Sequence, residues 1–144
     1  MQRVSSARVS TPDGEVASIG AGLLVYVGVG RDDADRDAEQ MAEKVANLRV
    51  FEKGGQMTES VLDGRGEALV VSQFTLYGDA RRGRRPEFLA AMRPELAEPI
   101  YERFLGALVR MGVPTRAGKF GAHMVVESAN DGPVTILLDS QKTF

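Results

Sequence analysis

Apolar and polar positions change period several times along the chain, and each change marks an element. Residues 2–9 alternate loosely around Val4 and Val9 and predict a first strand. Thr11-Pro12-Asp13-Gly14 is a turn by composition. Glu15 to Ile19 and Gly22 to Val29 follow as strands; the unbroken apolar run GLLVYVGV predicts burial on both faces. The spacing then becomes helical over residues 33–48. Ala34, Ala38, Met41, Ala42, Val45 and Leu48 share one face there, with Asp32 or Asp33 as cap. Short extended pieces are expected near Arg49–Phe51 and Ser60–Leu62, and Leu69–Leu76 is the most strand-like segment. A second helix is predicted from about Pro94 to Met111, with Leu96, Ile100, Phe104, Leu108 and Met111 at helical spacing. Pro94 suits its first turn, and Gly112 with Pro114 its end. Two closing strands, His123–Ala129 and Val134–Leu138, are expected to join through an Asn130-Asp131-Gly132-Pro133 hairpin. This order predicts an α+β class and a single compact β-rich domain over residues 1–144, with two main helices.

Composition narrows the chemistry. A net charge of −2 gives no overall field for a polyanion, so such a partner must meet a local patch. No cysteine is present, which excludes disulfides, thiolate metal sites and a cysteine nucleophile. No apolar run reaches the roughly 18–20 residues that span a membrane. The opening MQRVSSARVS has no apolar signal core, so a cytoplasmic protein is expected. The one histidine, His123, lies in a strand pattern and lacks the partners that a metal site or a histidine-based triad needs. No metal and no cofactor are expected. Gly20-Ala21-Gly22 and Gly28-Val29-Gly30 lack the P-loop lysine and the dinucleotide spacing, so they read as turn and packing residues.

Three stretches are left to carry chemistry. In ALVVSQFTLYGDARRGRRPEF, residues 68–88, a core strand turns polar at Ser72-Gln73 and Thr75. If extended, Gln73 and Thr75 share one face and Ser72 and Phe74 the other. A hydroxyl and an amide there can orient a carbonyl or support an oxyanion together with backbone N–H groups, or simply cap a sheet edge. No neighbouring base is available to activate Ser72 or Thr75 as a nucleophile. Arg81, Arg82, Arg84 and Arg85 then form a phosphate-seeking loop around Gly83. The third stretch is Asn130 to Thr135. A Gly-Pro bond between strands is ordinarily trans, since about 5–6% of X–Pro bonds in folded proteins are cis.

Together, SQFTLYGDARRGRRPEF and NDGPVT resemble the two signature motifs of the D-aminoacyl-tRNA deacylases. IGAGLLVYVGV, AEKVANLRVFE, LAEPIYERF, GKFGAHM and NDGPVTILL resemble further family segments in family order, over nearly the whole chain. His123 stands where the family commonly has Asp, and Ser128 replaces a usual apolar residue. The resemblance implies a barrel-like β-rich fold acting as a homodimer, with active sites at the subunit interface. It implies hydrolysis of the ester that links a D-amino acid, or glycine, to the 3′-terminal adenosine of tRNA, assisted by the terminal ribose 2′-hydroxyl. Ser72, Gln73, Phe74 and Thr75 would form the reaction wall. Gly132 and Pro133, joined by a cis bond and contributed across the interface, would reject the L enantiomer. Arg3, Asn130, Phe120 and Met124 would support the site, and Arg81, Arg82, Arg84 and Arg85 would bind the tRNA. The implied partners are aminoacylated tRNA and a second subunit, with no membrane and no DNA. The alternative is a non-catalytic nucleic-acid-binding module built on the arginine loop, which would need neither signature motif.

Overall fold

The computed structural model describes all residues 1–144. β1 (Gln2–Thr11), β2 (Gly14–Ile19) and β3 (Gly22–Val27) open the chain, followed by α1 (Asp35–Asn47). β4 (Phe51–Lys53) and β5 (Gln56–Glu59) make a small separate hairpin. β6 (Glu67–Ser72), α2 (Pro94–Arg110), β7 (Thr115–Ala117) and β8 (Val125–Thr135) complete the order.

β2 and β3 are one bent strand in a single register against β1, since Ala7 pairs with Ile19 and Val4 with Gly22. Past the bend, β3 also pairs in parallel with β6, and β6 in parallel with β7. The β3–β6 ladder starts where only glycine fits: a Cβ on Gly22 would lie 2.0 Å from the Glu67 carbonyl oxygen. β8 covers the other edge of β1, and β2 comes back toward β6 and β7, curling the sheet nearly into a barrel. Side chains of β3 and β6 alternate between two cores. Leu23, Val25, Ala68 and Val70 pack under α1 and α2; Leu24, Leu69 and Val71 pack against Val4, Val9 and Ile19. The unbroken apolar run in β3 thus has its cause in burial on both faces.

Several elements differ from the sequence expectation. α1 is capped at Ala34, not at Asp32 or Asp33. The Asp37 carboxylate accepts the Ala34 N–H at 2.9 Å, while Asp33 is turned to the Gly30 N–H at 2.7 Å. Ser60–Leu62 is no strand, because the Ser60 N–H and hydroxyl both donate to Asp63, at 2.9 and 2.8 Å, and close a turn. Leu96 is exposed; the buried stripe of α2 is Ala97, Tyr101, Phe104, Ala107 and Leu108. The closing hairpin is absent. β8 runs on through Asn130–Pro133 because β1 offers it a partner along nearly its whole length, and Ile136 beyond it pairs with Met1. His123 lies in the loop before β8 rather than in a strand.

Tyr101 ties α2 to the sheet: its hydroxyl donates to the Val70 carbonyl at 3.1 Å, and burial pushes its phenol well up. That carbonyl also accepts the Gly118 N–H at 2.9 Å, so removing the hydroxyl leaves no orphan acceptor. Tyr101→Phe should therefore cost only about 1 kcal/mol, against roughly 3–5 kcal/mol for Tyr101→Ala. Equilibrium urea unfolding of both variants checks this; equal losses would show that the hydroxyl, not the ring, is what matters.

Candidate functional site

β6 does not continue to Leu76. Its ladder with β3 ends at the Val27–Ser72 pair, because β3 itself ends at Val27. Gln73 leaves strand geometry at φ −147°, ψ 81°, and Phe74–Tyr77 wind into a 3-10 turn. The expected two-faced arrangement of Ser72 to Thr75 is therefore lost. Instead the half-buried Gln73 side-chain amide donates to the exposed Thr75 hydroxyl. The Gln73 N–H donates to the Val27 carbonyl at 2.7 Å and pins the turn to the end of β3. The Phe74 and Thr75 N–H groups, first in the turn, have no partner within the chain, as is usual for the first donors of a helical turn.

A cavity of about 580 Å³ opens at this point, outside the carboxyl ends of parallel strands β3 and β6. Ser72, Gln73 and Phe74 form one wall, Phe120 and Met124 face it, and Tyr101 lines the remainder. Its lining is mostly apolar with few polar groups, the usual character of a small-molecule site. Two aromatic contacts brace it: Phe88 meets Phe74 edge-on at 5.1 Å, and Tyr101 meets Phe120 at 5.5 Å. Arg93 and the exposed His123 also line it, and no carboxylate does. No group of three or more His, Asp or Glu side chains is placed to hold a metal. Thr75 lies just outside the lining. Sequence reasoning missed Phe88, Arg93 and Tyr101; Tyr101 has a core residue's helical spacing, and nothing local marks the other two.

Gly132, Pro133, Arg3 and Asn130 form a separate group that does not line the cavity. β8 pairs Asn130 with Val4 and then Thr135 with Gln2, so residues 131–134 bulge out opposite Arg3. Within the bulge Gly132 has φ +123°, which favours glycine, and the Gly132–Pro133 bond is cis. Both residues are exposed. Beneath them the Arg3 guanidinium is buried, at 6% exposure. It donates to the Asp131 carbonyl at 3.1 Å and the Val50 carbonyl at 2.8 Å, and it pairs with Glu52 and Asp131 at 3.5 and 3.4 Å. Asn130 is held by Gln2, to which its amide donates at 3.2 Å. Within one chain the two signature motifs are not brought together.

The arginine loop is closed by paired backbone bonds between Asp79 and Glu87, at 2.7 and 3.0 Å. Asp79 neutralises Arg81 through contacts at 2.9 and 2.5 Å, and this hydrogen bonding holds its carboxyl down at about 2. Arg82, Arg84 and Arg85 are exposed and pair with no carboxylate. Phe88, next after the bridge, carries the loop to Phe74 and the cavity rim.

The family model described as D-Tyr-tRNA(Tyr) deacylase matches residues 1–139. A D-aminoacyl-tRNA deacylase of Thermotoga petrophila is 54% identical, covering 100% of this chain and 97% of that protein. One of Clostridioides difficile is 52% identical at 100% and 97% coverage. Among solved structures, a c-Myc DNA unwinding element binding protein aligns with TM-score 0.90 and 42% identity, over 96% of this chain and 95% of that one. A probable eukaryotic D-amino acid tRNA deacylase shares the fold at TM-score 0.76 and 17% identity, over 92% of each.

The Arg3 clamp has a measurable consequence. Lysine carries the same charge but not the planar fork that reaches two carbonyls and two carboxylates at once. Arg3→Lys should lower stability by about 1.5–3 kcal/mol, through lost charge-assisted bonds to buried carbonyls. Asp131→Asn, on the exposed side of the clamp, should cost under about 1 kcal/mol. Chemical denaturation compares them; a wild-type midpoint for Arg3→Lys would mean that the guanidinium geometry is dispensable.

Proposed function

We propose that this chain, which belongs to the D-Tyr-tRNA(Tyr) deacylase family, is a hydrolase that cleaves the ester between a D-amino acid and the 3′-terminal adenosine of tRNA. Support comes from full-length relatives with that printed activity at 54% and 52% identity. The structural observation that carries it is the Ser72–Thr75 wall. Two unpartnered backbone donors stand beside an apolar cavity that holds no carboxylate base. Such a site acts by orienting the ester and stabilising the charge that develops on its carbonyl oxygen. Phe74 and Thr75 N–H groups are the donors for that oxyanion. The adjacent ribose hydroxyl of the substrate assists the attack of water, so no protein nucleophile is required.

The chiral gate is Gly132-Pro133 of a second subunit in a homodimer. The outward bulge of residues 131–134, held from below by Arg3 and remote from the cavity of its own chain, supports this arrangement. Backbone carbonyls of the gate meet the substrate's ammonium, and an L side chain collides with them. Selectivity arises by exclusion, so glycine, which has no side chain, is also cleaved. Arg82, Arg84 and Arg85 hold the phosphates of the tRNA that delivers the ester; Arg81 is partly spent on Asp79. The DNA-element-binding description of one structural neighbour favours a second reading, a nucleic-acid-binding module without hydrolysis.

Purified protein given matched D-, L- and glycyl-tRNA should release the D-amino acid and glycine and spare the L-amino acid. Equal rates on D- and L-alanyl-tRNA would remove the gate, and nucleic-acid binding with no hydrolysis would select the second reading. Reversing Arg82 and Arg84 to Glu should weaken tRNA binding at every sequence and flatten its salt dependence, by about one unit of slope per lost contact. Asp79→Asn should steepen that dependence by about one unit by releasing Arg81. An unchanged slope in both variants would make the loop a solvated surface.

A further inference from the structure

Gly28-Val29-Gly30 is more than a turn-like stretch. Neither glycine is in the left-handed region, so backbone conformation admits other residues at both. Space does not. A Cβ on Gly28 would stand 3.1 Å from the Gln73 carbonyl oxygen and 3.2 Å from both Leu76 Cβ and the Tyr77 ring. A Cβ on Gly30 would stand 2.6 Å from Tyr77 Oη and 2.9 Å from its Cζ. The Phe74–Tyr77 turn therefore lies directly on this bare strip of backbone. Tyr77 anchors it: its hydroxyl reaches Asp33 Oδ2 at 3.4 Å, and that same oxygen accepts the Gly30 N–H at 2.7 Å. Burial and the nearby Asp33 push the Tyr77 phenol up to about 12. On its far side the strip is bonded to the opposite cavity wall. Met92 N–H donates to the Val29 carbonyl and Arg31 N–H to the Ala90 carbonyl, both at 2.9 Å. One strip thus fixes the spacing of two walls.

We propose that Gly28, Gly30, Asp33 and Tyr77 are positioning residues for the hydrolysis, seating the turn that carries Phe74 and Thr75 at the height the ester requires. The proposal rests on the hydrolase reading of the cavity. Phe74, Thr75 and Leu76 are exposed, so beyond the Gln73–Val27 backbone bond and the Phe74–Phe88 contact the strip is what the turn rests on. A displacement of about 1 Å at a reacting group can cost on the order of a hundredfold in rate.

Gly30→Ala, Tyr77→Ala and the double variant test it by single- and multiple-turnover deacylation of D-aminoacyl-tRNA. Gly30→Ala should lower kcat by at least about tenfold while KM for the tRNA stays within about twofold, since contacts to the tRNA body are untouched. Adding Gly30→Ala to Tyr77→Ala should cause little further fall, because the phenol that the new methyl strikes is gone and only a 3.2 Å approach to Asp33 Oδ2 is left. Wild-type kcat in Gly30→Ala, or a loss that adds in full to that of Tyr77→Ala, overturns the proposal. If Gly30→Ala does not fold, Tyr77→Phe replaces it: a several-fold fall in kcat at unchanged KM supports the seat, and an unchanged kcat overturns it. Amide shifts of Phe74, Thr75 and Gly78 in ¹H–¹⁵N spectra read the seat without activity. They should move in Gly30→Ala and, in the double variant, match Tyr77→Ala. A wild-type protein that cleaves no aminoacyl-tRNA would refute the hydrolase reading alone, and the amide shifts would still decide the seat.

Discussion

The parallel pairing of β3 with β6 is the constraint on which the rest depends. It begins at Gly22, where the Glu67 backbone passes too close for any side chain, and it ends at the Val27–Ser72 pair. Between those points each strand buries alternate side chains in two different cores. Both strands are thereby fixed from two sides, and their ends with them. The chain leaving β6 has lost its ladder partner and must satisfy its backbone by turning. The cavity is what remains where two strands stop together and the loops after them diverge. Its position follows from strand length, and strand length from where the apolar runs give way to Gly28 and Gln73.

A second constraint acts at the other end of the sheet. Arg3 is a cation at 6% exposure, and such burial is tolerable only with every donor directed at an acceptor. Its acceptors come from three places: Val50 after α1, Glu52 in β4 and Asp131 in β8. One side chain therefore couples the first strand, the small hairpin and the bulge bearing Gly132-Pro133. An edge strand with a bulge and a proline is poorly suited to edge-to-edge pairing. The same features leave the bulge projecting, as a gate contributed to a partner would require.

The sequence made the long elements legible because burial on one or two faces imposes a period that survives in the residue pattern. β1, β2, β3 and α2 lie within a few residues of where that pattern puts them. What escaped was set by partners rather than by period. Leu69–Leu76 looks like one strand because Leu76 continues the alternation, yet β3 had already ended. Asn130-Asp131-Gly132-Pro133 has the composition of a hairpin loop, but an adjacent β1 keeps it in the sheet as a bulge. The Asp33 cap was lost to a competing donor, the Gly30 N–H. The site was legible as motifs and not as geometry: Ser72, Gln73, Phe74, Phe120 and Met124 share one cavity, while Gly132 and Pro133 stand elsewhere.

The distribution of charge explains how an acidic protein can offer a polyanion a docking point. Several arginines outside the loop are spent locally. Arg8 pairs with Glu127 at 2.6 Å, Arg103 with Asp35 at 2.7 Å, and Arg110 reaches Glu39 at 3.9 Å. The carboxylates of α1 are thus partly answered by α2, and their field is short-ranged under a screening length of about 8 Å at physiological salt. Arg82, Arg84 and Arg85 have no such answer and sit on a loop fastened at both ends. Over residues 79–87 the four arginines outnumber Asp79 and Glu87, so the loop itself is positive whatever the sum over the chain. A net charge of −2 gives no overall attraction for a polyanion, so the loop's local excess of positive charge is what distinguishes this face. The loop leads directly into Phe88, which meets Phe74 at the cavity mouth. Three free guanidiniums thus stand on the rim of the same cavity whose wall carries the unpartnered Phe74 and Thr75 donors, and phosphate contacts of that kind set register rather than read sequence.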